Sequence, residues 1–426
     1  MQRGLQISAR GIEMPESPIR KLAPLAYDAE DKGVKIFRLN IGQPDLPTPQ
    51  KALDALKSVD RTTLEYSPSQ GYRSLRQALV NYYDRYQIKL NADEIIITSG
   101  GSEAVLFAFM SCLNPGDEII VPEPAYANYM SFAISAGAVI RTVTTTIDEG
   151  FCLPKVEKFE ELINDRTKAI LICNPNNPTG YLYTQREMNQ IRDLVKKYNL
   201  YLFSDEVYRE FIYTGSPYIS AMHLEGIERN VVLVDSVSKR YSECGIRIGA
   251  LITKNEEVRK TVMKFCQARL SPPLIGQIVA EASIEGTEAY SREMYEEYTE
   301  RRKCLIDGVN RIPGCYTPIP MGAFYTVAKL PVDDAEKFCA WCLSEFKYKD
   351  ENTPAKISVS GREVECMGET VMMAPAAGFY TDPELGKDQV RLAYVLCKED
   401  LRRAVMILGK AIESYNALNG NSGGKE

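Results

Sequence analysis

Five polar clusters in this chain hold residues able to do chemistry, and each stands in or beside a short apolar run. "DSVSKRYSECGIRIGA" (235–250) carries Lys239 and, eight positions on, Arg247, with Ser236 and Ser238 beside the lysine. An amine that loses part of its water near other cations gives up its proton more readily, and can then act as nucleophile and base. The planar fork of arginine matches the oxygens of a phosphate or carboxylate. "SDEVY" (204–208) sets Asp205 at the end of an apolar run, and "PNNPTG" (175–180) holds two adjacent amides in a rigid turn. In "TSGGSEA" (98–104), Gly100 and Gly101 let a ligand approach the backbone, and Ser102 reads as the N-cap of a helix whose open N–H groups attract anions. "QVRLAYV" (389–395) places Arg391 between apolar neighbours, an unusual place for an unpaired cation. Each cluster has a plainer reading: a surface loop, a capping acid, an Asn-Pro turn, a capped turn, a buried ion pair. Together they suit one ligand, anionic at one end, with an aldehyde for a lysine and a ring nitrogen that needs an acid.

The elements that must position these residues alternate. Seven apolar runs, at 94–98, 118–122, 138–143, 169–173, 200–204, 231–235 and 248–253, are separated by helical stretches. Such alternation implies βαβ units and a mostly parallel sheet covered on both faces. Ligands of open α/β sheets bind at the carboxyl ends of the strands, where these clusters fall. The reading is therefore α/β: a seven-stranded, mostly parallel sheet in a large domain over 51–310, and a smaller α+β domain built from the N-terminal arm (1–50) and residues 311–426. Residues 1–50, rich in Pro and Gly, read as an extended arm. Helical character over 255–310 breaks at "SPP" (271–273), "KDENTPAKISVSGREVECMGE" (349–369) reads as an irregular surface insertion, and the tail "NGNSGGKE" as frayed.

Composition removes several classes. With 45% hydrophobic and 25% charged residues the 426-residue chain is ordinary globular protein, and a net charge of −6 argues against a nucleic-acid face. No apolar run approaches the ~18–20 residues of a membrane helix, and "MQRGLQISARGIEM" lacks the apolar core of a signal peptide. A cytoplasmic protein is expected, and eleven cysteines fit such a reducing compartment. Cys339 and Cys342 have CxxC spacing, but without a second ligand pair they read as core residues on a helix. The single histidine, His223, is accompanied by no nucleophile elbow or HExxH motif and reads as a packing residue. No metal site is expected.

In their order and spacing, "LNIGQPDLPTP" (39–49), "NNPTG", "SDEVY", "SVSKRYSECGIRIG" and "VRLAYV" resemble the class I aminotransferases of fold type I, aspartate aminotransferase-like enzymes that use pyridoxal 5′-phosphate (PLP). The likeness runs over nearly the whole chain. It implies that Lys239 forms the Schiff base and that Asp205 keeps the pyridine nitrogen protonated. It implies that Tyr208 and Asn177 bond the ring's 3-oxygen and that Tyr126 stacks on the ring. Arg247, Ser236, Ser238, Gly100 and the N–H groups of Gly101 and Ser102 would cradle the phosphate, with Tyr66 reaching it from a neighbouring subunit of a homodimer. Arg391, helped by Asn177 and the backbone at Gly42, would take the substrate α-carboxylate. The reaction implied is a ping-pong exchange through aldimine and ketimine between an L-amino acid and a 2-oxo acid, with Lys239 moving the α-proton.

The substrate's far end departs from the pattern. Some dicarboxylate-specific members place an arginine shortly after the "PP" pair, where this chain reads "LIGQIVA" with Gln277; others use a lysine where it has Ser102. Arg269, in "QARLSPP", is the cation left to meet a distal carboxylate, its plainer reading being an ion pair. The expectation is an aspartate-type enzyme of loose specificity using 2-oxoglutarate as acceptor. The rivals are a PLP-dependent lyase, decarboxylase or synthase on the same scaffold. A PLP-binding regulator would need a DNA-binding domain, and neither terminus has a basic helical extension.

Overall fold

The structure, a computed structural model, describes residues 5–286 and 288–420. The last six residues of the tail read as frayed lie outside them. In chain order the first eight strands are β1 (Val34–Arg38), β2 (Ile95–Thr98), β3 (Glu118–Glu123), β4 (Val139–Thr144), β5 (Thr167–Cys173), β6 (Tyr201–Asp205), β7 (Val231–Ser236) and β8 (Gly249–Ile252). β2 to β8 are the seven predicted strands, and they form one sheet in the order β2-β8-β7-β6-β5-β3-β4. The pairs among β3 to β7 are parallel. β8 runs antiparallel to both β2 and β7. The reason lies in the connection: only residues 237–248 join β7 to β8, with no long crossover helix, so the chain turns back on itself. β2, β3, β7 and β8 are buried along their whole length, as apolar strands covered on both faces must be. β4 closes one edge and exposes alternate residues.

Helices cover the sheet, and their ends are specified locally. Gln185–Tyr198 starts at a capping box, Thr184 accepting from Glu187 N–H while Glu187 bonds back to Thr184, and stops at Asn199 in the left-handed region. Helices Glu256–Arg269 and Leu274–Ile284 are separated at the predicted break.

The remaining strands are β9 (Tyr325–Lys329), β10 (Lys356–Val359), β11 (Arg362–Glu365), β12 (Gly368–Met372), β13 (Ala374–Pro375) and β14 (Gln389–Ala393). β13, β14 and β9 form an antiparallel sheet. β12 pairs in parallel with β1, so the start of the chain folds onto its last third. The segment read as an extended arm is thus more regular than expected: it holds helix Ala23–Asp31, capped off by Gly33 in the left-handed region, as well as β1. The stretch 349–369 also departs from an irregular insertion, because β10 and β11 pair as a hairpin within it. Its two ends are tied down by Arg403, which pairs with Asp350 at 2.7 Å and with Glu369.

Cys339 and Cys342 lie in the core on helix Ala335–Ser344, and burial pushes both thiols up. Among the described residues no cluster of His, Cys, Asp and Glu could hold a metal ion, and no helix is long and apolar enough to cross a membrane. His223 serves the fold. Its Nδ1 accepts from Ser220 N–H at 3.1 Å, which leaves Nε2 to donate to the Tyr86 carbonyl at 2.8 Å.

Candidate active site

The carboxyl ends of β5, β6 and β7 open on one edge of the large sheet, and β9 and β14 bring Tyr325 and Arg391 to meet them. A four-residue helix, Val237–Arg240, begins directly after β7 and carries Lys239. Ser236 caps it, accepting from Ser238 N–H at 3.2 Å and donating to Ser238 Oγ at 2.8 Å. Lys239 is half-buried, and its Nζ donates to the Gly42 carbonyl at 2.9 Å, with Cys244 Sγ 3.7 Å away.

From that carbonyl a chain of hydrogen bonds leads to Arg391. The Tyr325 hydroxyl lies 3.5 Å from Gly42 O and 3.1 Å from the Tyr208 hydroxyl. Asn177 Nδ2 donates to Tyr208 at 3.4 Å, and Asn177 Oδ1 accepts from Arg391 Nη1 at 3.1 Å. Gly42 is required here, since a Cβ on it would stand 1.6 Å from the Tyr325 hydroxyl.

Arg391 is 1% exposed. Its other contacts are the Asn40 carbonyl and the rings of Tyr325 and Phe379, 4.5 and 5.3 Å from the guanidinium carbon. Its Nε has no partner, and it forms no ion pair among the described residues. The buried ion pair that would have been the plain reading is absent. Burial lowers the arginine's hold on its proton, and the neighbouring Tyr325, Tyr208 and Tyr126 offset only part of that. A cation held this way can receive a carboxylate.

Asp205, at the end of β6, accepts from the Tyr129 hydroxyl at 2.6 Å and from Val207 N–H at 3.3 Å. Burial pushes its carboxyl up to about 6, because no cation stands beside it. Burial likewise raises Tyr208 well above the usual phenol range. Tyr126, which receives a bond from Asn128 at 2.7 Å and meets Tyr129 edge-on, is pushed up to about 12 by burial.

The opposite end can hold an anion. Helix Gly101–Cys112 starts with no side-chain cap, so its first N–H groups are open. Its N-cap is Gly100, a correction to the reading of Ser102, which instead occupies the helix's first turn. Gly100 has φ 78° and ψ 174°, and a Cβ there would meet Arg247 Nη2 at 2.3 Å. Arg247 itself sits in the left-handed region and donates to Cys244 O at 3.1 Å and Ser99 O at 3.4 Å, keeping an exposed guanidinium in front of the helix.

Two predicted residues stand apart. Tyr66 is 76% exposed, and its hydroxyl makes no hydrogen bond among the described residues. Arg269 pairs with Glu103 at 3.5 Å and donates to Ser69 and Ile97 carbonyls at 3.4 Å, so the ion pair is present. Gln277 is fully buried, donating to Ser67 at 2.8 Å and accepting from Tyr72 N–H at 2.7 Å. Sequence reading missed Tyr325, Tyr129 and Asn40. Asn40 had a signal, its place two residues before Gly42. Tyr325 and Tyr129 had none, being one tyrosine each among 25.

An amine, a buried acid, an open helix start with an arginine, and a buried cation with no counterion among the described residues lie together at these strand ends. The family description "Aminotransferase class I and II" matches residues 34–352. An aspartate aminotransferase of Pyrococcus horikoshii is 30% identical over 96% of this chain and 97% of its own length. One from Thermotoga maritima is 33% identical over 80% of this chain and 89% of its own. The solved alanine aminotransferase of Pyrococcus furiosus superposes with a TM-score of 0.84 at 29% identity, covering 96% of this chain and 100% of that one. The chain belongs to the class I and II aminotransferases and is a transaminase. The family implies PLP, and the residues present fit it: the helix start at Gly101 is uncapped, and a Cβ at Gly100 would fill the space in front of it that the Arg247 guanidinium borders.

Proposed function

We propose that this transaminase moves an amino group between L-aspartate and 2-oxoglutarate, with PLP attached to Lys239. The observation that carries the reading is Arg391, a fully buried cation with no counterion, joined by hydrogen bonds to the neighbourhood of Lys239. When bound, PLP supplies an aldehyde for the amino group and a protonated ring that draws electrons from the α-carbon. This chain's residues supply the rest.

Arg391 receives the α-carboxylate through its fork, with Asn177 beside it and Gly42 giving room. That would place the α-carbon near Lys239, whose amine would take the α-proton and serve as base and then acid in the transfer. Asp205, as a carboxylate, would accept a hydrogen bond from the ring nitrogen and keep it protonated. A cation beside it favours the carboxylate that burial alone disfavours. Tyr208 and Asn177 bond the ring's 3-oxygen, and Tyr126 covers the ring face. Arg247, Ser236, Ser238 and the N–H groups at Gly101 and Ser102 hold the phosphate, with Tyr66 of a second copy completing the cradle in a cytoplasmic homodimer. The lyase and synthase readings lack a feature here that favours them.

Aspartate as donor rests on the curated relatives, and Arg269 is the residue we assign to its distal carboxylate. To serve, Arg269 must exchange part of its contact with Glu103 for the substrate. A charge-assisted bond of this kind is worth ~1.5–3 kcal/mol, or roughly tenfold to a hundredfold in kcat/KM. Arg269→Ala should lose that much toward aspartate and almost nothing toward alanine in steady-state assays. Equal losses on both substrates, or none, would leave Arg269 as a partner of Glu103 only.

A further inference from the structure

Each of three residues assigned above is followed in sequence by a buried charge. Glu206 follows Asp205, Arg209 follows Tyr208 and Arg240 follows Lys239, and these three are 0%, 2% and 2% exposed. With Asp235 at the end of β7 they form a layer of four ionic side chains.

Arg240 Nη2 donates to Asp235 Oδ1, and to the Ser236 carbonyl at 3.3 Å, so it bridges the strand end and the cap of the lysine's helix. Its guanidinium carbon lies 4.4 Å from the Tyr82 ring centre. Asp235 also accepts from the Tyr83 hydroxyl at 2.6 Å and from Ser236 N–H at 2.7 Å. Arg209 pairs with Glu206 at 3.0 Å and lies 4.5 Å from the Tyr83 ring centre. Lys239 and Arg240 therefore diverge from adjacent positions, one to the Gly42 carbonyl, the other into a closed ionic layer.

This layer is a poor device for stability alone. Buried ion pairs rarely outperform apolar residues of equal volume, and Nε and Nη1 of both Arg240 and Arg209 lack hydrogen-bond partners. What fixed, desolvated charges do well is hold geometry and impose a field, because little water screens them.

We propose that the Asp235–Arg240 pair is a positioning device for Lys239, clamping the turn that carries it and balancing the charge felt at its amine. The inference rests on the reading that Lys239 carries PLP. The groups facing the pair are Asp205, Arg209, Tyr82, Tyr83, Tyr241 and Glu243, and Cys244 faces the amine. Two substitutions should then act with opposite sign. Asp235→Asn keeps the shape and removes a negative charge, leaving Arg240 unbalanced. Arg240→Gln removes the positive charge, while Arg209 keeps Asp235 ionised.

The test is a pH titration, followed by visible absorbance, of the Schiff base in PLP-loaded protein, with borohydride reduction and peptide mass locating the attachment. D235N should lower the midpoint and R240Q should raise it, each by ~0.5–1 pH unit. R240K should stay near the wild type, and the double variant should return toward it. Midpoints that do not move in folded, loaded protein, or that move in the same direction, would overturn the proposal. If R240Q does not fold, D235N decides alone: a lowered midpoint supports the proposal and an unchanged one refutes it. A wild type with PLP attached elsewhere than Lys239 would instead overturn the reading beneath it.

Discussion

Asp205 shows at the residue scale how the site waits for its cofactor. Its carboxyl is raised to about 6 by burial, against 3.8 for a free aspartate. The folded chain thus binds this proton more tightly than the unfolded chain. Folding takes up a proton between about pH 4 and 6, and stability falls as pH rises through that window. Above it the buried charge costs up to about 3 kcal/mol. Asp205→Asn removes that cost, so the cofactor-free variant should gain on the wild type from pH 4 to 6 and then hold a constant lead. Urea unfolding of both apo-proteins across pH 4–8 reads the difference, and a difference flat with pH would remove the assigned cause. The same variant should bind PLP more weakly, because the ring nitrogen loses its anion. Asp205, Lys239, Arg247 and Arg391 stood out in sequence because each is a charge in or beside a short apolar run, and the roles proposed for them come from the resemblance. Arg240 was passed over though it lies within the opening motif. Nothing in "SKRY" says which of two adjacent cations turns inward, since that depends on Asp235 and Tyr82 meeting it in three dimensions.

At the scale of elements, the anion cradle depends on one backbone conformation. Gly100 occupies a region of φ and ψ that is essentially restricted to glycine, and other residues there cost ~1–3 kcal/mol. Its missing Cβ also leaves the room Arg247 uses. Gly100→Ala should raise the dissociation constant of PLP at least tenfold while changing that of phosphate-free pyridoxal little. Equal loss for both ligands would place the effect in the fold rather than at the phosphate. The seven strands of the large sheet were legible because each is a compact apolar run between helical stretches. The antiparallel course of β8 was not, because direction is set by the short link 237–248 rather than by composition. The hairpin in 349–369 was overlooked although it left a signal: "KISV" alternates polar and apolar residues and Ser360-Gly361 supplies a turn before "REVE", but each run is only four residues long and set in a polar stretch.

For the whole molecule, the account needs two copies. Tyr66 and its neighbours Leu64 and Leu270 are 76%, 63% and 50% exposed, and Ser67 ties their loops together by donating to the Pro272 carbonyl at 3.0 Å. Exposed apolar side chains here are available to a second copy. We expect a homodimer of about twice 47.8 kDa by light scattering, with Tyr66→Phe weakening PLP binding in each site. A monomer that is active at nanomolar concentration would remove Tyr66 from the cradle.

The central claim is that Lys239, Arg391 and the cofactor act together on an amino acid by transfer of its amino group. A single half-reaction tests it most directly: PLP-loaded protein mixed in a stopped-flow instrument with aspartate and no oxo acid. The account predicts conversion to the pyridoxamine form with one oxo acid released per site, and in Lys239→Ala at least a thousandfold slower conversion, in line with the loss of a general base worth ~10²–10⁴-fold together with the nucleophile. Release of fumarate and ammonia, or of alanine and carbon dioxide, with the cofactor unchanged, or near wild-type conversion in Lys239→Ala, would contradict it.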